Sequence, residues 1–307
     1  MIKCVECNKE FDDDAGLHRH LRVHKLLKEE YYQKYFPRYD LLTNEPLEFK
    51  SKEYYFGNMF SNRGNCITYI KNLPSNERLN FLFTLFGERK KNKGLVFLPS
   101  QVELRSSILP SVSFLNKIGY DYSLIAEKLD LIKKYDYNVK SLAYNNEPLD
   151  IIQDTREQKP LRFSSSTRVI VSGLDFSDYT CKSHFNNIFI ERKSLVDFVA
   201  TFSNQIERFE REMHRAQSIN ATVFVLVENM IGDALAFDRI SYIGQRTRIT
   251  PDYVFHNVKQ LIQKYPNLQF GFCDNRTKMA ETIEKIYNAK ERMTKYDIQY
   301  LIDSSVL

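Results

Sequence analysis

The sequence predicts an α/β protein: a mixed central sheet in the C-terminal half, preceded by a small ββα finger and a mainly helical middle region. Three observations predict this. Short runs rich in β-branched and aromatic residues near 149–153, 168–172, 187–193, 222–228 and 268–273 read as strands. Apolar residues at helical spacing near 194–218, 252–265 and 276–291 read as helices interleaved with them. That alternation favours an α/β layer. At the other end, two cysteines and two histidines stand close together within the first 26 residues. The expected division is 1–26 finger, 27–147 helical linker or accessory region, 148–292 sheet domain and 293–307 C-terminal tail.

The finger comes first. Cys4 and Cys7 have two residues between them, twelve more lead to His20, and three separate His20 from His24. The two histidines lie one helical turn apart on one face, so both ring nitrogens reach a tetrahedral Zn²⁺ beside two thiolates. Phe11 and Leu17 supply the two apolar positions such a finger needs. A segment this short cannot bury a sufficient core, and metal binding supplies the missing folding energy. His18 competes by proximity, but its spacing from His24 puts it off the common face. The positions that usually meet bases fall on Asp13, Gly16 and Arg19, of which only Arg19 suits guanine. Asp12, Asp13 and Asp14 place negative charge where phosphate would approach, and equally serve as helix caps. The finger is therefore expected to dock on branched DNA or on a protein rather than to specify a sequence.

The finger's helix is expected to continue through Leu26–Phe36 and to stop before Pro37. Further helices are expected at Glu77–Phe86 and at Ser123–Tyr135, where Ile125, Leu129 and Ile132 recur at helical spacing. Lys90, Lys91 and Lys93 read as a solvated loop. The aromatic and basic residues of this region could hold DNA strands by stacking and charge. A small helical domain that buries its own aromatics is the preferred alternative.

The sheet half carries the chemistry. Glu191-Arg192-Lys193 sits on an expected strand, so Glu191 and Lys193 point one way and Arg192 the other. Asp178 lies thirteen positions upstream. Two carboxylates offer hard oxygen ligands to Mg²⁺, and an ammonium beside them can orient water or offset charge on a phosphate. Ile206, Phe209, Met213 and Ala216 form one apolar stripe, which is either core or a dimer face. Arg246 and Arg248, flanking Thr247 in an arginine-rich segment, are candidate DNA contacts.

These blocks resemble the XPF-type structure-specific endonucleases, a branch of the PD-(D/E)XK nuclease superfamily. The likeness rests on Asp154-Thr155-Arg156-Glu157, on Leu174–Tyr179, on Glu191-Arg192-Lys193 with Asp197, on Arg208–Met213, and on Val223–Glu228. It covers about residues 148–290. The family has glycine before the aspartate where this chain has Ser177. The resemblance implies a restriction-endonuclease-like domain that hydrolyses DNA phosphodiesters with Mg²⁺ or Mn²⁺, leaving 5′-phosphate and 3′-hydroxyl ends. Asp178 and Glu191 would hold the metal, and Lys193 would position the water. Asp154 would complete the acidic pocket. Arg156 and Glu157 would support the site or touch phosphate, and Arg192 would brace it from the other sheet face. Asp197 is equally a helix-start carboxylate. The implied partner is DNA, branched, flapped or forked, in repair, recombination or replication. A homodimer through the nuclease domain stays open. So do an idle nuclease fold carried on a DNA- or protein-binding finger scaffold, and a sequence-directed nuclease of homing or restriction type.

Composition agrees without deciding. Formal charge is +5 with a pI near 8.7, a mild bias toward polyanions. Five cysteines, two at the metal spacing, do not form a disulfide framework and suggest a reducing compartment. The absence of an eighteen-residue apolar run argues against a membrane span. With the finger starting at once, a cytoplasmic protein is expected. The finger followed by a Lys/Tyr-rich helix is similar to arrangements in bacteriophage-encoded nucleases, which would make that a host cytoplasm.

Overall fold

Apolar residues that alternate along strands and recur along helices need two faces to bury, and the sheet half supplies both. In the computed structural model, which describes residues 1–139, 147–244 and 249–307, the chain divides into two compact units. The first comprises residues 1–94 with 108–110, and the second 95–107 with 111–307.

In the first unit, β1 (Ile2–Lys3) and β2 (Glu10–Phe11) pair antiparallel, and α1 (Asp14–His20) follows, capped by Asp13, whose Oδ1 accepts from Gly16 N at 2.7 Å. A 3₁₀ turn spans Leu21–His24. The expected run-on helix does not form. Lys25 takes a left-handed φ of 56°, which ends the turn, and α2 (Lys28–Tyr35) starts anew with Glu30 accepting from Leu27 N. Next come α3 (Lys52–Gly57), α4 (Arg63–Asn72) and α5 (Ser75–Lys93). Helix α5 is longer than expected and includes Lys90, Lys91 and Lys93, so they sit on a last helical turn, where cations complement the helix dipole, and not in a loop. Cys4, Leu17 and Leu21 of the finger share one buried cluster with Tyr31, Tyr32, Leu47 and Tyr55. The aromatics of this stretch are mostly core.

The second unit opens with α6 (Gln101–Arg105), α7 (Val112–Lys117) and α8 (Ser123–Leu129). The expected helix to Tyr135 stops early because Asp130 is left-handed (φ 48°). Ile132 is then exposed and bridges to Phe97. The expected break at 147/148 is not where the units part. Gln263 holds the backbone of Val96 and Phe97 and the carboxylate of Glu103, while Asp297 accepts from Gln101 N and Tyr137 Oη.

Six strands form the sheet: β3 (Leu149–Asp154), β4 (Thr167–Ser172), β5 (Tyr179–Cys181), β6 (Ile188–Lys193), β7 (Thr222–Glu228) and β8 (Leu268–Cys273). Their order is β4-β3-β5-β6-β7-β8. β5 runs antiparallel to both neighbours and the other pairings are parallel, so the sheet is mixed as expected. β5 itself was not anticipated, since three residues are too few to show a period.

One face packs Phe189, Val223, Val225 and Val227 against α9 (Leu195–Asn204), α10 (Ile206–Ser218) and α13 (Pro251–Lys264). The short α11 (Ile231–Ala234) and α12 (Ser241–Gly244) lie between β7 and α13 in the chain. The other face packs Ile188, Ile190, Phe224 and Leu226 against α14 (Arg276–Ala289) and α15 (Ile298–Asp303). The single helix expected over 194–218 is two, broken at Gln205, and the bend brings Phe202 and Phe209 into one cluster with ring centroids 5.0 Å apart. The stripe Phe209, Met213 and Ala216 is buried here, with Ile206 packed against it. It is core.

The expected tail is also part of the fold. Gln299 Oε1 accepts from Phe272 N, and Gln269 Oε1 accepts from Ile298 N. Gly271 makes that approach feasible, because a Cβ there would stand 2.9 Å from Leu226 Cδ2 and 3.1 Å from Ile302 Cδ1. Among the described residues no helix is long and apolar enough to cross a membrane.

Candidate active site

The strand alternation that buries Phe189 on the α9/α10 face puts Glu191 and Lys193 on that same face, at the strand's C-terminal end. β5 pairs Tyr179 with Ile190 and Thr180 with Phe189. Extending that register by one residue sets Asp178 opposite Glu191, and cross-strand neighbours hold their Cβ atoms about 5 Å apart. Pairing continues into the site: Asp178 N donates to Ile190 O at 3.0 Å, and Arg192 N donates to Asp178 Oδ2 at 2.7 Å. Lys193 Nζ donates to Glu191 Oε1 at 2.6 Å, with both side chains largely buried. The sequence therefore placed these three together, and the structure does so through a strand the sequence did not reveal.

Their electrostatics follow from burial. Burial, then the Glu191 charge, push the Asp178 carboxyl up to about 8. Burial works against the Lys193 ammonium, but the surrounding carboxylates, Glu191 foremost, together outweigh it and the group is held above its ordinary range. The pair of acids is short of positive charge.

Ser177 explains the departure from the family's glycine. It is left-handed at φ 63°, a conformation that costs an L-residue roughly 1 kcal/mol and glycine little. The turn that aims Asp178 is thus the glycine turn, made with serine. Ser177→Gly is expected to raise the unfolding free energy by about 0.5–1 kcal/mol in urea titration. A destabilised variant would contradict this reading of the turn.

The remaining expected residues take other positions. Asp154 is buried with both oxygens engaged: Oδ1 accepts from Arg156 N and Nε, each at 2.7 Å, and Oδ2 from Arg156 Nη2 at 3.0 Å and Leu174 N at 2.7 Å. It ties the Leu174 loop to Arg156, and its lone pairs are spoken for, so it does not complete an acidic pocket as expected. Arg156 is itself 67% exposed and within electrostatic reach of Asp178. Glu157 accepts from Arg192 Nε and Nη2, and Arg192 Nη1 reaches Glu228 Oε1 at 2.7 Å. Glu228 also meets Arg276. These four form an ion network on the α14 face, buried except for the half-exposed Arg276, and it ties Arg192 to Glu157 and Glu228 on the sheet face opposite Glu191. Asp197 is exposed and forms the N-terminal cap of α9 with Ser194, its Oδ2 accepting from Ser194 Oγ at 2.6 Å. That is the helix-start arrangement. Arg246 and Arg248 lie outside the described residues.

Three residues were missed. Glu228 and Arg276 extend the network from β7 and α14, and a strand ending in glutamate was the one signal for the former. Glu212 on α10 is largely buried, and burial, then the Glu191 charge, raise its carboxyl. On the sequence it was one acid among several on a charged helix.

In the finger, Cys4, Cys7, His20 and His24 bring one ligand atom each to within 4.8 Å of one another. His20 Nε2 stands 3.1 Å from Cys7 Sγ and 3.0 Å from His24 Nε2. Tetrahedral zinc sets such ligand atoms roughly 3.3–3.8 Å apart, so these two pairs stand slightly closer than the ion would hold them, and the donor set of two thiols and two imidazoles suits it. The knuckle is a turn closed by Asn8 N to Cys4 O at 2.7 Å and Cys4 N to Lys9 O at 2.9 Å. His18 bonds Tyr32 Oη at 3.1 Å, outside the cluster. Arg19 is exposed.

A mixed sheet flanked by helices on both faces, with acids and a lysine at adjoining strand ends, is a nuclease fold of restriction-endonuclease type. More particularly, residues 153–286 match the family model of the ERCC4 domain. Two solved structures are similar over 46% of this chain: XPF from Aeropyrum pernix (19% identity, 60% of that chain, TM-score 0.33) and XPF from Aeropyrum pernix in complex with DNA (20% identity, 64% of that chain, TM-score 0.34). The chain thus spans less than two thirds of either. No curated protein matches it.

Proposed function

We propose that this protein is a metal-dependent DNA endonuclease that hydrolyses phosphodiester bonds at branched or flapped DNA, in repair, recombination or replication. The observation that carries the reading is the convergence of Asp178, Glu191 and Lys193 within the residues that match the ERCC4 domain. Two hard carboxylates sharing one ammonium fit Mg²⁺ or Mn²⁺, and Asp178 and Glu191 would hold it. When bound, such an ion lowers the pKa of water and offsets charge on the reacting phosphate.

The chain's own residues divide the rest. Lys193, kept charged by Glu191, offers an ammonium donor to the water or to a phosphate oxygen. Arg156, anchored through Asp154 and largely exposed, offers its free surface to the backbone of the substrate. Arg192, Glu157 and Glu228 hold β6 and β7 in register beneath the acids. The four finger ligands would hold a structural zinc ion, with Arg19 exposed beside it for a backbone contact.

Full-length protein with Mg²⁺ is expected to cut flap, fork or four-way DNA at least about tenfold faster than linear duplex or single strands, since shape and not sequence is what such a site would select. Gel assays on a panel of labelled substrates check this. Binding without cleavage would favour an idle nuclease scaffold, and cutting confined to one linear sequence a homing- or restriction-like enzyme.

A further inference from the structure

Away from the acidic site, the second unit holds a small cavity of about 10 Å³. Its polar lining comes from Ser100, Tyr135, Gln269 and Asp297, and the rest of the wall is apolar side chains of α6, α13 and β8. That volume is at the lower edge of what one water molecule needs and too little for a larger ligand. The apolar wall also denies a hard cation the six or more oxygens it requires.

Tyr135 is only 4% exposed, and its Oη finds no hydrogen-bond partner among the described residues. Burial, then the charges of Asp297 and Glu103, hold this phenol well above its ordinary range, so at neutral pH it is an O–H donor in need of an acceptor. Asp297 has one to give. Its Oδ2 accepts from Gln101 N at 2.6 Å and from Tyr137 Oη at 3.1 Å, while Oδ1 accepts only from Tyr300 N at 3.0 Å. Two lone pairs on each oxygen leave Oδ1 with one acceptor position. Gln269, whose Oε1 accepts from Ile298 N, brings an amide group to the same wall.

We propose that this cavity is a built water site: Tyr135 Oη donates to a single buried water, that water donates to Asp297 Oδ1, and the Gln269 amide makes the third contact. Three bonds is the usual complement of a buried water, and none of the polar groups around it is then left orphaned. The bridge ties the segment before β3 to the start of α15. Both lie outside residues 153–286, and the water joins them across a wall made by α13 and β8, which lie inside.

The test uses full-length, zinc-bound protein. A crystal structure that shows ordered water is expected to hold one peak within about 3.2 Å of both Tyr135 Oη and Asp297 Oδ1. The peak should vanish in Tyr135→Phe, which keeps the ring and removes the donor. Hydrogen exchange gives a second reading. The amides of Gln101 and Tyr300 bond Asp297, and in Tyr135→Phe they should exchange about three- to tenfold faster, the size of one net hydrogen bond. The sign separates the alternatives, because a hydroxyl with no partner is better replaced by phenylalanine, and those amides would then slow or stay unchanged. A cavity without the peak, a peak that persists in Tyr135→Phe, or amides that keep or gain protection overturns the proposal.

Discussion

Asp178→Asn should abolish cleavage, with a loss of at least about 10³-fold in single-turnover rate, while leaving the fold intact. The fold survives because the asparagine carbonyl can still accept from Arg192 N, the bond that Asp178 Oδ2 makes at 2.7 Å. What disappears is one of the two carboxylates proposed to hold the cation. In the absence of divalent cation the same substitution should stabilise the protein. A carboxyl pushed up to about 8 by burial and by Glu191 favours the folded state when protonated, since the unfolded group titrates near 4. The sign follows: between about pH 4 and 8 the folded state binds the extra proton, so stability falls as pH rises across that window and levels off above it. Asparagine carries no such charge. At pH 8 Asp178→Asn is expected to melt later than wild type by roughly 1–3 kcal/mol in stability, and near pH 4 the two should coincide. Urea titrations at four pH values, with chelator at concentrations that leave the finger zinc in place, would measure it. Cleavage that persists in the variant, or a variant less stable at pH 8, removes Asp178 from the role given to it.

Much of this site was legible because strand geometry is local. Glu191 and Lys193 had to share a face once residues 187–193 were read as a strand, and five of the six sheet strands declared themselves by composition alone. Asp178 was found through its resemblance to a family pattern, and its partner strand stayed hidden, since Tyr179–Cys181 is too short for any period. Asp154 shows the opposite failure. Its place at a strand end matched the pattern, but its oxygens go to Arg156 and Leu174, and no sequence window of six residues contains a loop contact twenty positions away. Asp197 and Ser194 form a cap that the sequence allowed equally well as a catalytic acid. The break at Gln205 and the stop at Lys25 escaped because each falls at a residue with no strong turn preference, whereas Asp130 is of a type that tolerates a left-handed φ and was a signal passed over.

The finger's outcome changes what metal removal should do. Were residues 1–26 an independent module, chelation would unfold them alone. Instead Cys4, Leu17 and Leu21 share one buried cluster with Tyr31, Tyr32 and Tyr55. The seam is polar as well as apolar: Val5 N donates to Tyr31 Oη at 2.9 Å, His18 meets Tyr32 Oη at 3.1 Å, and Lys52 pairs with Asp14 at 2.6 Å. A two-strand hairpin of two residues per strand with a seven-residue helix has no core of its own, so it cannot hold its half of that cluster without the ion. Zinc binding contributes on the order of 10 kcal/mol to folding in isolated fingers, more than a cluster of this size can replace. Removing zinc is therefore expected to expose residues 1–57 together, α2 and α3 included, while β3–β8 stay protected by the two cores on their own sheet faces. Hydrogen exchange with and without a zinc chelator reads this directly. Amides of Val5, Tyr31 and Tyr55 should lose protection by at least about 10²-fold, and those of Val223–Val227 should not change. Cys7→Ser should reproduce the effect without chelator. If α2 amides stay protected while β1 and α1 exchange freely, the metal holds the finger alone, and the shared aromatic cluster stands without it.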